Sequence, residues 1–161
     1  AKPNITHAGF HAMNACRIEK GYRHWGHDIH DQIHPYAAGL GFTIDDSKGD
    51  FIGRDSVLKS RGKQTRRLVN FAVVGDHLPM LLHDEPIFVN GQQCGLTTSA
   101  MWGHRVERSL GIAALHHDAG VNRQWLADAS FEVEVAGERF PITPQLTAFY
   151  DPKNQKLKGP A

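Results

Sequence analysis

Long apolar runs are missing from this sequence: uninterrupted hydrophobic stretches reach only a few residues, as at Phe71–Val74. A membrane-spanning helix needs about 20 consecutive apolar residues, so none is expected. The first residues show no basic, then apolar, then small-residue progression, so no signal peptide is expected either. Cysteine is scarce. Cys16 and Cys94 are the only two and form no CxxC pair, which excludes a structural zinc or dithiol redox motif. They leave one disulfide or two free thiols, and two free buried thiols in a reducing compartment are the expectation. An excess of one charge is lacking as well. Eighteen Lys+Arg face seventeen Asp+Glu, a formal net charge of +1. Dedicated nucleic-acid binders show a basic face and a pI above about 9, so no nucleic-acid partner is expected. There is no GxSxG elbow and no phosphate loop, and Gly39-Leu40-Gly41 is too short for a nucleotide fingerprint.

What is present is ordinary globular material. Hydrophobic residues make up 40% and charged residues 22% of 161, enough for one domain or two small ones sharing an interface. Phe10, Met13, Ala15, Cys16 and Ile18 recur at helical spacing and predict a helix over Gly9–Tyr22, with Glu19 and Lys20 exposed and Gly21 as its stop. Leu40, Phe42 and Ile44 alternate with small or polar residues and predict a strand. Gly53–Gly62 reads as a short helix. From about residue 65 the pattern turns to β. Arg67–Val74 and Leu110–Leu115 read as strands, and a short helical stretch falls near Val121–Ala127. Two hairpins are signalled, one through Asn90-Gly91 and one through Ala136-Gly137.

The expected fold class is therefore α+β: an α/β piece at residues 1–64, then a small antiparallel β-barrel or sandwich at 65–161. Leu68, Phe71, Val73, Ile87, Val89, Ile112, Leu115, Val133 and Val135 are the expected core. The first piece has too few strands to close a core alone, which suggests the tail of a larger assembly of elements.

Two clusters carry possible chemistry. His24, His27, His30 and His34 are spaced 3, 3 and 4, as helical metal ligands would be, but Gly26 and Pro35 argue against a regular helix, and no metal is expected. The second is Arg17-Ile18-Glu19-Lys20-Gly21-Tyr22-Arg23-His24-Trp25-Gly26-His27-Asp28, where a helix passes into a loop. Tyr and Trp can stack on a flat ring, and Arg and Glu can read polar edges. The same residues also suit a helix end anchored by aromatics and a local salt bridge, with Trp25 packing the first piece onto the barrel.

The segments RIEKGYRHWGHDI, HPYAAGLGFTID, DFIGRDSVLKSRG and RRLVNFAV, with EPIFVNGQQCGLTTSAMWGHRVERSLGIAAL and WLADASFEVEVAGERFPITPQLTAFYDP further on, resemble the C-terminal part of the aminomethyltransferase-like module. That module is shared by glycine-cleavage T proteins and by the dimethylglycine/sarcosine dehydrogenase family of flavoenzymes, and the last segment resembles the flavoenzyme branch in particular. The resemblance runs from about Ala8 to Pro152. It implies the end of an α/β tetrahydrofolate-binding part followed by a β-barrel. It also implies an N-methyl amine substrate, capture of its one-carbon unit by tetrahydrofolate, and FAD held only on an N-terminal domain outside these residues. The remainder of the parent chain is the implied partner, and the cytoplasm or mitochondrial matrix the implied compartment. No catalytic residue falls in this segment; the folate-pocket candidates are Arg17, Glu19, Tyr22 and Trp25. In the T proteins a folate-contacting arginine lies four residues before the position of Arg17, and here Met13 stands there, which favours the flavoenzyme branch. Arg17 then has an alternative structural role, pairing with Glu19 or a neighbour. The other readings are a fragment of a T-type aminomethyltransferase without a flavin domain and a barrel that only mediates assembly.

Overall fold

The computed structural model describes residues 6–62 and 64–159. In chain order the elements are helix α1 (Phe10–Glu19), a 3-10 turn (Gly41–Thr43), helix α2 (Arg54–Ser60), strands β1 (Arg66–Val73), β2 (Pro86–Val89), β3 (Gln92–Gly103) and β4 (Arg108–His116), helix α3 (Arg123–Asp128), strands β5 (Phe131–Val135) and β6 (Glu138–Gln145), and helix α4 (Gln155–Lys158). The six strands form a closed antiparallel barrel in the order β1-β4-β3-β2-β5-β6, with β6 returning to β1. Closure leaves no free edge for another strand to join.

The hairpin turns follow their sequence signals. Asn90 and Gly91 have φ of 49° and 83°, and Ala136 and Gly137 have 52° and 83°. Positive φ at both central residues matches the twist of the flanking strands, and Asn-Gly meets that demand at least cost. Ala136 meets it against its own preference.

Within residues 68–73 and 110–115, strands β1 and β4 are apolar on both faces, apart from Asn70, because both of their faces are covered. Val69, Phe71 and Val73 of β1, with Ala113 and Leu115 of β4, point into the barrel and join Ile87, Phe131, Val133 and Ile142. The alternate residues point outward. Leu68, Ile112 and Ala114 are buried with Ala38 beneath Ile29, Ile33 and Leu40. Ala72 and Leu110 are buried with Ile18 of α1. Residues 6–40 thus have no sheet of their own; they cover the outside of β1, β3 and β4. Gly111 sits directly opposite Phe71, whose ring occupies the space a Cβ would need.

Of the nine expected core residues, seven are buried, and Val89 and Val135 are half-buried against the barrel core. The strand expected at Leu40–Ile44 does not form. The chain makes a 3-10 turn there, and Phe42 is 84% exposed. Gly41 lies so close to the Tyr36 ring that a Cβ would come within 2.6 Å of it, and the closed barrel offers no edge for pairing. Neither cysteine is fully buried: Cys16 is exposed on α1 and Cys94 half-buried, and both are free. Partial burial still pushes the Cys94 thiol up to about 11, so it stays protonated at neutral pH. No helix of the described residues is long and apolar enough to cross a membrane.

Ile112 is fully buried in the outer layer rather than inside the barrel. Ile112→Ala should cost roughly 2–5 kcal/mol in a denaturant melt. A midpoint unchanged within error would show that the layer over β1 and β4 contributes nothing.

Candidate functional site

Helix α1 stops through a Schellman pattern. Gly21 adopts φ 64°, its N–H donates to Ile18 O at 2.9 Å, and Tyr22 N–H donates to Arg17 O at 2.8 Å. A side chain at Gly21 would be strained, and its Cβ would lie 3.0 Å from Asn70 Oδ1. This turn sends Tyr22 to Ile29 back across the barrel surface.

The junction is held by Asp28, whose side chain is wholly buried. Its Oδ2 accepts from Arg17 Nη1 at 2.8 Å and from the His24 N–H at 2.7 Å, and its Oδ1 accepts from Thr98 Oγ1 at 2.6 Å. Arg17 donates as well to Asn14 Oδ1 at 2.6 Å, Ser99 Oγ at 2.9 Å and Tyr22 O at 3.3 Å. A bulge in β3 makes this possible. The β3–β4 register shifts between Thr97 and Ser99, which breaks strict alternation and brings both Thr98 and Ser99 to the α1 side.

The four sequence-derived candidates separate into different environments. Arg17 borders a cavity of about 150 Å³ with Phe10, Asn14, His24 and His83, but four of its five guanidinium N–H groups are engaged inside the protein. Its acidic partner is Asp28, not Glu19. Glu19, expected at the surface, is 3% exposed. Its Oε1 accepts from the amides of Arg105 at 2.6 Å and Val106 at 3.2 Å, so it ties the β3–β4 turn to α1. Those two donors explain its burial, since a carboxylate leaves water only for partners of that kind. Tyr22 borders a groove of about 340 Å³ with Lys20, Arg23, Phe42 and Asn70. Trp25 is 69% exposed, so it does not pack the first piece onto the barrel.

Arg23 supplies the groove with a cation that has no acidic partner in contact. It donates to the carbonyl of Gly21, to Asn70 Oδ1 at 3.1 Å and to Ala38 O at 3.3 Å. Burial pulls its pKa below the ordinary arginine value, and the charge of Asp28 opposes that pull. The histidines do not converge. His24 and His27 rings lie 4.8 Å apart, whereas His34 Nε2 meets Ser60 Oγ at 2.6 Å. Among the described residues no group of three or more His, Cys, Asp or Glu is placed to hold a metal ion.

Asp28, Thr98 and Ser99 are the residues that sequence reasoning did not assign. Asp28 ends the Arg17–Asp28 cluster and suits a metal ligand as well as a turn or cap, so its role as acceptor is not visible in the sequence, and the signal at β3 is a polar Thr97-Thr98-Ser99 run in a strand that is otherwise half apolar.

The chain matches the family model for the glycine cleavage T-protein C-terminal barrel domain over residues 66–151, and that for the GCVT N-terminal domain over residues 1–48. It is similar to 4-methylaminobutanoate oxidase (formaldehyde-forming) of Paenarthrobacter nicotinovorans, at 40% identity over 94% of this chain and 18% of the oxidase. It is similar to human mitochondrial sarcosine dehydrogenase at 30% identity over 99% of this chain and 18% of that protein. The chain thus spans about a fifth of the length of these relatives. The fold matches a crystal structure of the glycine cleavage system aminomethyltransferase T from Bartonella henselae with a TM-score of 0.72, at 20% identity over 88% of this chain and 38% of that one.

Asp28→Ala removes the acceptor for three donors and leaves Arg17 as an uncompensated, nearly buried charge. A chemical melt should record a loss of about 3–5 kcal/mol. A loss below ~1 kcal/mol would mean that the junction is held by apolar contacts alone.

Proposed function

Taking as premise that the chain belongs to the glycine cleavage T-protein C-terminal barrel family, we propose that it is the aminomethyltransferase-like segment of a flavin-dependent N-methyl amine dehydrogenase, supporting tetrahydrofolate-dependent capture of the one-carbon unit. The observation that carries this reading is the span of the similarity. The amine-oxidising relatives align with 94% and 99% of this chain, through both the helix–loop junction and the barrel.

The junction offers features that fit part of a folate. Tyr22 and Trp25, which flank Arg23 in the sequence, present exposed rings, and the groove beside Tyr22 adds a half-buried cation without a contacting acid. Flat rings stack on such faces, and carboxylates pair with such guanidinium groups. At about 340 Å³ the groove is near the lower end of the usual range for small-molecule sites, so it would hold one portion of the ligand. Tetrahydrofolate, when bound, supplies the nitrogens that accept the one-carbon unit. Arg17 and Glu19 serve this site by position. They fix the helix end and the β3–β4 turn, and so hold Tyr22 and Trp25 where they stand. FAD belongs to another part of the parent chain, since these residues carry no Gly-rich dinucleotide fingerprint.

A second reading has its own support. One relative is named for forming formaldehyde. Met13 also stands where the resemblance to T proteins leads one to expect a folate-contacting arginine. Release as formaldehyde and capture by folate are two fates of the same one-carbon unit. The parent enzyme, turned over with sarcosine or 4-methylaminobutanoate with and without tetrahydrofolate, separates them. Capture predicts that added tetrahydrofolate lowers free formaldehyde in proportion to turnover. Formaldehyde yield indifferent to the folate would establish release instead.

Trp25→Leu in the same enzyme should weaken folate binding roughly two- to tenfold, the worth of one aromatic contact. Because Trp25 is mostly exposed, the thermal midpoint should barely move. Unchanged folate affinity would remove Trp25 from the site.

A further inference from the structure

We propose that the cavity beside Arg67, at the start of β1, is a binding site for an organic carboxylate with a short apolar stem. The cavity measures about 290 Å³ and lies between the 32–37 loop, the segment after α2 and the first residues of β1. Arg66, Arg67, Gln32 and Gln64 supply polar groups to its wall, and Leu68 and Ala114 supply apolar ones. This is separate from the Tyr22 groove, which shares none of these residues.

The cation at this cavity is out of balance with its surroundings. Arg67 Nε is buried and has no hydrogen-bond partner. Among the described residues, every acid that pairs with a lysine or arginine pairs with Arg17, Lys20, Arg61 or Arg139, and none with Arg66, Arg67 or Arg123. Burial lowers the pKa of Arg67, and the positive charge of Arg123 lowers it further. Arg67 in turn acts on Arg23 in the same direction. Arg67 is thus repelled by Arg123 and repels Arg23. A buried donor without a partner costs free energy, and so does crowding of like charge. A carboxylate offsets both at once, because its two oxygens match the guanidinium fork. The apolar wall selects an anion with a hydrocarbon stem over a bare inorganic ion.

A carboxylate free in solution and a carboxylate side chain of the protein's own parent chain present the same chemistry. The thermal midpoint of the intact protein, measured with sodium valerate against sodium chloride and neutral valeramide at matched ionic strength, tests both. Arg67→Gln and Arg67→Met are the variants, the second retaining the packing of the stem. A free ligand predicts a saturable rise with valerate alone, weakened at least about tenfold in both variants, whose own midpoints equal or exceed that of the unaltered protein. An internal carboxylate predicts no effect of valerate and a lower midpoint in both variants. The proposal is overturned if valerate acts no differently from chloride while either variant retains the original midpoint. It is equally overturned if valerate stabilises the variants as well as the original. No folate or amine enters this assay, so its failure leaves the functional reading above standing.

Discussion

The buried ion pair between Arg17 and Asp28 is the constraint on which the docking of α1 and the 24–29 loop depends. It joins the last turn of α1, the 24–29 loop and the bulged middle of β3 through three donors on one carboxylate. A buried pair of this kind is a poor source of net stability, because taking two charges out of water costs about as much as their attraction returns. Its effect is specificity. Once the charges are buried, an alternative docking of α1 leaves one of them without a partner. Glu19 repeats the device one turn position on, clasping two amides of the β3–β4 turn. Between them the two residues set the direction in which the chain leaves the helix, and with it the positions of Tyr22, Arg23 and Trp25.

The barrel was legible in the sequence; the junction was legible as a cluster of side chains, and its ion pair and its partners on β3 were not. Asn90-Gly91 and Ala136-Gly137 mark their turns locally, through the positive φ that each turn needs. The apolar runs of β1 and β4 were legible as strands for a reason visible only in three dimensions: helix and loop cover the face that would otherwise meet water. The strand expected at Leu40–Ile44 failed because alternation alone does not make a strand. A strand needs an edge to pair with, and the barrel has none. The contacts of Asp28, Thr98 and Ser99 escaped notice because their partners lie 11, 70 and 82 positions away in sequence. A bulge that turns two successive side chains the same way leaves no periodicity to find. Glu19 was misplaced for the same reason: its partners are 86 and 87 residues distant.

The two family models meet on this architecture in an instructive way. The model for the N-terminal domain ends at residue 48, within the segment that covers the barrel, and the barrel model begins at the first residue of β1. The ion pair lies within the first match, and its hydrogen bonds cross the division, from Arg17 to Ser99 and from Thr98 to Asp28. The junction is therefore anchored to the barrel beneath it, and a folate face there, as proposed, would rest on the barrel.

The central claim is that the Arg17–Asp28 contact makes the helix–loop junction and the barrel one cooperative unit. Native-state hydrogen exchange measures this directly, residue by residue. The account predicts that the amides of His24 and of the last turn of α1 open with the same free energy as the central amides of β3 and β4. Opening of α1 and the 24–29 loop at a free energy several kcal/mol below that of the barrel strands would contradict it.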